Sequence, residues 1–186
     1  QMELSELIKD AKLQIDYMSQ TIDDFRNFYK PSKEKKLFNI KESIIQSSKI
    51  VNASLEKYGI KFEIFGEDLQ LDSYENEFEQ VVVNILNNAI DAKIVKSNSE
   101  KFDARIEINI FKENDNIVIS IFNNCGNIDE QIIERIFEPY FTTKFENQGT
   151  GIGLYMTKVI VEKNMNGKIQ AKNLNDGVEF IIKLNA

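Results

Sequence analysis

The sequence predicts an α/β fold, a two-layer α/β sandwich with helices on one face of a mixed or antiparallel sheet, preceded by one long helix. Three observations carry that prediction. Residues 104–110 and 117–121 alternate isoleucine or alanine with other residues, and Val178, Phe180, Ile182 and Leu184 alternate near the C-terminus. That is the period of strands buried on one face. Residues 77–93 (EFEQVVVNILNNAIDAK) instead repeat Phe78, Val82, Ile85, Ala89 and Ala92 at helical spacing. The elements also run helices first, then a hairpin, a helix and two strands, so strands and helices do not alternate one by one as in a βαβαβ nucleotide fold.

Composition bounds the possibilities. The 186 residues are 42% hydrophobic and 28% charged, enough for one globular domain of roughly 130 to 150 residues plus an appendage. A net charge of -7 and a pI near 4.8 argue against a nucleic-acid partner, whose footprint would be basic. The single Cys125 excludes an internal disulfide framework. The sequence contains no histidine, which removes the commonest acid/base group and the usual zinc ligand. No apolar run reaches the roughly 18 residues a membrane span needs, and no signal-like start is visible.

In chain order, residues 3–30 place Leu4, Ile8, Ala11, Ile15, Met18, Ile22, Phe25 and Tyr29 in alternating steps of four and three, a heptad seam. A helix of roughly 40 Å cannot cover such a stripe alone; a helical bundle is expected, with a helix lying on the domain as the plainer alternative. Residues 31–37, with Pro31 and a lysine cluster, read as a linker to a globular domain at 38–186. Residues 38–40 form a short strand. Residues 41–57 form a helix with Ile44, Ile45, Ser48, Val51 and Leu55 inward, closed by Gly59. Residues 61–65 form a strand and 66–71 a turn or short strand, and Ser73 is placed to cap the central helix. After the hairpin come a polar break at 123–127 (NNCGN), a short helix at 129–135, an irregular aromatic segment at 137–144 (FEPYFTTK) and a glycine loop. A helix over 151–163 and strands at 168–172 and 178–184 finish the chain.

Chemistry concentrates in three places. Asn84, Asn88 and Asp91 line one face of the central helix. Carboxamides are poor interior helix formers, so they serve either a wet polar face or a bound ligand or ion. GTGIGL at 149–154 opens a helix; glycines let backbone approach a phosphate, which a helix N-terminus favours. It lacks the strand of a dinucleotide fingerprint and the lysine-hydroxyl pair of a P-loop, and a tight flexible loop is the plainer reading. Thr142, Thr143 and Lys144 lie just upstream and offer hydroxyls and a cation.

Together these motifs resemble, in order, those of the ATP-binding catalytic domain of sensor histidine kinases, within the superfamily that includes gyrase, Hsp90-type chaperones and MutL-type proteins. NILNNAIDA resembles its asparagine box, FEPYFTTK its phenylalanine box and GTGIGL its second glycine box, while residues 21–31 resemble the end of the second dimerisation helix. The resemblance implies a Bergerat-type fold with ATP between the asparagine helix and a mobile flap. It implies that Asn88 ligates Mg2+, that Asn84 lies near the phosphates, and that Asp91, Asn123 and Ile128 belong to the nucleotide pocket. Phe137 would pack at the base of the flap. Thr142, Thr143 and Lys144 would lie near the phosphates, which Gly149, Thr150, Gly151, Ile152 and Gly153 would wrap, with Leu154 in the wall. Asn84 and Lys144 are the nearest to catalytic candidates. The implied partners are ATP, a response regulator and a second copy paired through the helical hairpin, in the cytoplasmic part of a sensor protein, membrane-bound or not.

Several positions depart from the family pattern, among them Asn164 and Asn166, where many relatives carry histidine and glycine. Asn123 stands where an aspartate usually meets the adenine amino group, Asn127 replaces a glycine, and Glu179 replaces a frequent threonine. A neutral carboxamide in place of that aspartate is expected to cost about 1–3 kcal/mol of nucleotide affinity. The resemblance also implies a phosphoacceptor histidine on a preceding helix, outside this sequence, so this chain alone is not expected to autophosphorylate. The rival expectation is a degenerate pseudokinase domain that serves as a dimerisation scaffold.

Overall fold

A computed structural model describes residues 34–97, 102–143 and 150–185, together with Ile8, Lys12 and Ile15. The elements are β1 (Lys36–Asn39), α1 (Ile40–Lys57), β2 (Lys61–Gly66), β3 (Gln70–Ser73), α2 (Glu75–Ser97), β4 (Arg105–Glu113) and β5 (Asn116–Asn123). A 3₁₀ turn (Arg135–Phe137), α3 (Gly153–Val159), a π turn (Ile160–Asn164), β6 (Lys168–Leu174) and β7 (Gly177–Asn185) follow.

The main sheet has the order β2-β4-β5-β7-β6, with β2 parallel to β4 and every other pair antiparallel. The sheet is therefore mixed. The register of the antiparallel strands sets the core face. Ile108 pairs with Ile121 and Ile110 with Ile119; Ile119 in turn pairs with Ile182 and Ile121 with Phe180. Each alternating run thus aligns its apolar residues with its neighbour's, and all of these side chains are buried. A one-residue slip would turn every one of them to solvent, and each contributes about 1.5–3 kcal/mol by its burial.

α2 lays Phe78, Val81, Val82, Ile85, Leu86, Ala89 and Ile90 into the same core. α1 packs beside it through Ile40, Ile44, Val51 and Leu55. β1 and β3 form a separate two-stranded antiparallel sheet.

Several expectations need correction. β1 begins at Lys36, two residues inside the expected linker, and α1 starts at once because Asn39 caps it, its Oδ1 accepting from Glu42 N at 3.0 Å. Ser43 and Ser47, not Ile45 and Ser48, complete its buried face, and Ile45 is 39% exposed. Ser73 closes β3 instead of capping α2, which begins at Glu75 and runs on to Ser97. The helix expected at 129–135 is replaced by successive tight turns: Ile132 N donates to Asp129 O, Arg135 N to Ile132 O and Glu138 N to Arg135 O. Only Ile136 and Phe137 of the 3₁₀ turn are buried, so no apolar stripe holds a longer helix together. The last helix stops being α at Val159 and widens into the π turn, which lets the neighbours Ile160 and Val161 both reach the core. Of the heptad seam, Ile8 and Ile15 are helical and each 62% exposed; the rest lies outside the described residues. Among the described residues no helix is long and apolar enough to cross a membrane.

Candidate functional site

Two asparagines on α2 set the chemistry. The Asn84 side-chain Nδ2 donates to Gly153 O at 3.2 Å and meets Thr157 Oγ1 at 3.4 Å. The Asn88 Nδ2 donates to Asn84 O at 2.8 Å. Gly153 O and Asn84 O are backbone carbonyls and can only accept, so both amide orientations are fixed with the nitrogens against protein. Each carboxamide therefore keeps its oxygen for something else. Asp91 lies one turn beyond Asn88 on the same helix, half-buried. Among the described residues no group of three or more acidic, cysteine or histidine side chains could hold a metal ion. Oxygen donors of this kind, few and neutral, suit Mg2+ that takes its remaining ligands from water and phosphate.

The contact to Gly153 joins α2 to the start of α3, one end of the glycine motif. Gly151 in that motif has φ +66, and a Cβ there would lie 2.4 Å from Tyr140 C and 2.7 Å from Tyr140 O. Tyr140 itself has φ +63, which is strained for a bulky residue. The FEPYF segment and the glycine motif are thus fitted backbone to backbone. Ile152 N donates to Thr150 Oγ1 at 3.3 Å. Phe137 is buried and meets Phe180 edge-on at 6.4 Å, anchoring the aromatic segment on β7. Leu154 packs partly buried against the core. Thr142 and Thr143 are exposed. Lys144 and Gly149 lie outside the described residues.

The NNCGN break ends β5 beside the end of α2. Asn123 is only 2% exposed, and its Oδ1 accepts from Cys125 N at 3.1 Å. Asn124 closes the edge of β4: its Oδ1 accepts from Arg105 N at 2.8 Å and its Nδ2 donates to Asp103 O at 2.9 Å. Lys93 and Lys96 sit over the Phe102 ring at 3.8 and 4.3 Å, and Lys96 Nζ donates to Asn124 O at 3.3 Å, tying α2 to this loop. Burial pushes the Cys125 thiol up to about 11, against the opposing charges of Lys93 and Lys96. Near the start of α2, burial and then the charge of Glu75 raise the Glu79 carboxyl, opposed by Lys36.

Sequence reasoning missed the residues that hold the pocket candidates in place. Asn173 clamps Ile128 from both sides, its Oδ1 accepting from Ile128 N at 2.9 Å and its Nδ2 donating to Ile128 O at 2.7 Å. Thr157 was readable only as one more helix residue. Glu179, another departure from the family pattern, lies elsewhere in the fold. It faces away from the helices, bonded to Ser120 and 2.8 Å from Lys172 Nζ, because alternation along β7 puts Val178, not Glu179, opposite Asn123. Glu179 helps line a groove of about 500 Å³ with Phe111, Val118 and Ile181. That groove lies on the far face of the sheet from the asparagines.

Comparison with known proteins bears on the family and the fold. Residues 73–186 match the family of histidine kinase-, DNA gyrase B- and HSP90-like ATPases. The two-component sensor PprA of Pseudomonas aeruginosa is 37% identical over 109 residues, 59% of this chain and 12% of that protein. Sensor histidine kinase ZraS of Salmonella typhimurium is 25% identical across 98% of this chain and 38% of its own length; the chain thus spans a minor part of either relative. A nucleotide-free form of the catalytic domain of histidine kinase ThkA superposes with a TM-score of 0.71 at 30% identity, covering 82% of this chain and 97% of that one. ThkA in complex with the response regulator TrrA gives 0.69 at 25% identity, over 96% of this chain and 49% of that one. The chain belongs to the histidine kinase-, DNA gyrase B- and HSP90-like ATPases, and its globular part is an ATP-binding catalytic domain of the sensor histidine kinase type.

Proposed function

We propose that this domain binds Mg-ATP between α2 and the start of α3 and transfers the γ-phosphoryl group to a histidine that lies outside this sequence. The observation that carries the reading is the fixed orientation of two carboxamides, each with its nitrogen on a carbonyl and its oxygen left over. In this reading Asn88 ligates Mg2+ and Asn84 stands beside the phosphates. The metal would neutralise charge on the phosphates, and catalysis would rest largely on positioning and charge stabilisation. Gly153 lies against Asn84, and the backbone from Thr150 to Gly153 would meet the phosphate tail. Asn123, Ile128 and Leu154 would line the base end of the pocket.

The phosphoryl group would then pass to a response regulator; ThkA, a structural relative, was solved with one. Pairing of two chains through the seam of residues 3–30 would bring an acceptor within reach. Calorimetric titration of the chain with ATP, with and without Mg2+, tests the reading. Binding that depends on Mg2+ supports it, and no detectable binding at millimolar nucleotide overturns it.

One observation favours the scaffold alternative. The Asn123 carbonyl is already engaged by Cys125 N–H, which weakens it as an acceptor for an adenine amino group. An Asn123→Asp variant that raises affinity about 5- to 100-fold would place the weakness there; an unchanged affinity would remove this argument for a degenerate domain.

A further inference from the structure

We propose that Thr157 is a positioning residue that fixes the polarity of the Asn84 carboxamide, a role that rests on the metal-binding reading above. Thr157 is fully buried at 0% exposure. A buried hydroxyl is costly unless it is bonded, and a valine of the same shape would fill the site without that cost. The hydroxyl has one proton and two lone pairs. Its proton goes to Gly153 O at 3.0 Å, one turn earlier on α3. Such back-bonding is common for a helical threonine and needs no functional reason.

The second contact does. Because its proton is engaged by Gly153 O, the Thr157 oxygen can offer Asn84 only a lone pair, and the Asn84 Nδ2 meets it at 3.4 Å, 73 residues away in sequence. The same Nδ2 reaches Gly153 O at 3.2 Å. Two acceptors therefore face one amide nitrogen. Rotating that amide by half a turn would set its oxygen against the Gly153 carbonyl, a like-with-like clash, and would pull the Thr157 proton away from its bond to Gly153 O. The pair holds Asn84 in one rotamer with the oxygen turned to the other side, before any ligand arrives. Preorganisation of this kind removes the cost of immobilising the side chain on binding.

Thr157→Val keeps the shape and removes the hydroxyl; Thr157→Ser keeps the hydroxyl. Two quantities are measured on the full chain. The first is the exchange rate of the Asn84 side-chain amide protons in nucleotide-free protein by NMR, with the signal identified by its loss in Asn84→Asp. The second is Mg-ATP affinity by calorimetry. Thr157→Val should speed the exchange and weaken Mg-ATP binding about 3- to 10-fold, whereas Thr157→Ser should keep both close to those of the unaltered chain. Thr157→Ala provides the same test should the valine variant fail to fold. Unchanged exchange, unchanged Mg-ATP affinity, or a serine variant that behaves like the valine variant would overturn the proposal. Should the unaltered chain bind no Mg-ATP, the functional reading falls, while the exchange rates still decide the role of Thr157.

Discussion

Asn88 brings a single group to the site, a carboxamide oxygen, because its nitrogen is held by Asn84 O. Asn88→Ala should therefore lower Mg-ATP affinity at least about tenfold, the low end of what losing even an indirect metal contact costs. The melting temperature should hold within a few degrees, since alanine is the better helix former. Calorimetry and a thermal melt on the same sample check both halves. Cys125 gives a pH test. Its thiol is raised from an ordinary 9.0 to about 11 by burial, so the native chain keeps the proton where the unfolded chain has lost it. The associated stability is fully present below pH 9 and is lost as pH rises toward 11. Urea melts across that window should show stability falling with pH, more steeply than for Cys125→Ala. A thiol that reacts quickly with an alkylating reagent at pH 8 would contradict the buried, protonated assignment.

The elements of the site are fitted to one another by backbone contacts, and these give two tests. Gly151→Ala introduces both an unfavourable φ and a Cβ against the Tyr140 carbonyl, whereas Gly59→Ala, at φ +62 with nothing within 4 Å, introduces only the first. Gly151→Ala should cost clearly more than the roughly 1 kcal/mol expected of Gly59→Ala and should also impair nucleotide binding; equal losses for the two would show that the fit to FEPYF is unimportant. Asn173→Ala leaves the Ile128 N–H and C=O without their clamp and should cost about 1–3 kcal/mol, a fall of several degrees in melting temperature. A melt unchanged within a degree would show that water replaces the clamp.

The same elements show what the sequence could reveal. The hairpin of β4 and β5 was legible because alternate isoleucines admit one register only. The asparagine helix was legible because its apolar stripe and its carboxamides follow the same period. Residues 129–135 were not legible, since isoleucines next to acidic residues fit a short helix as well as a chain of tight turns. Asn173 and Thr157 were out of reach for another reason. Their partners lie 45 and 73 residues away, and no local pattern marks a long-range hydrogen bond.

At the scale of the whole molecule, one apolar layer between a mixed sheet and its helices holds α2 rigid. The proposed functional groups stand on that rigid helix and on the start of α3, and the loop after β5 is pinned to α2 by Lys96 and to β6 by Asn173. The order of layers was readable from the order of periodicities. The mixed sheet was within that reading, but which pair is parallel was not legible, because β2 meets β4 only after the chain has crossed through β3 and α2. The side of the sheet away from the helices carries Glu179, because strand alternation sets Val178 opposite Asn123 and turns Glu179 to the other face.

The central claim is that the oxygens of two α2 carboxamides face a magnesium-bearing triphosphate. A crystal structure with Mg2+ and a non-hydrolysable ATP analogue measures it directly. The account predicts Asn88 Oδ1 at about 2.1 Å from the metal, with the Asn84 nitrogen still on Gly153 O. Asn88 turned away from an occupied cleft, or a nucleotide bound elsewhere, would contradict it.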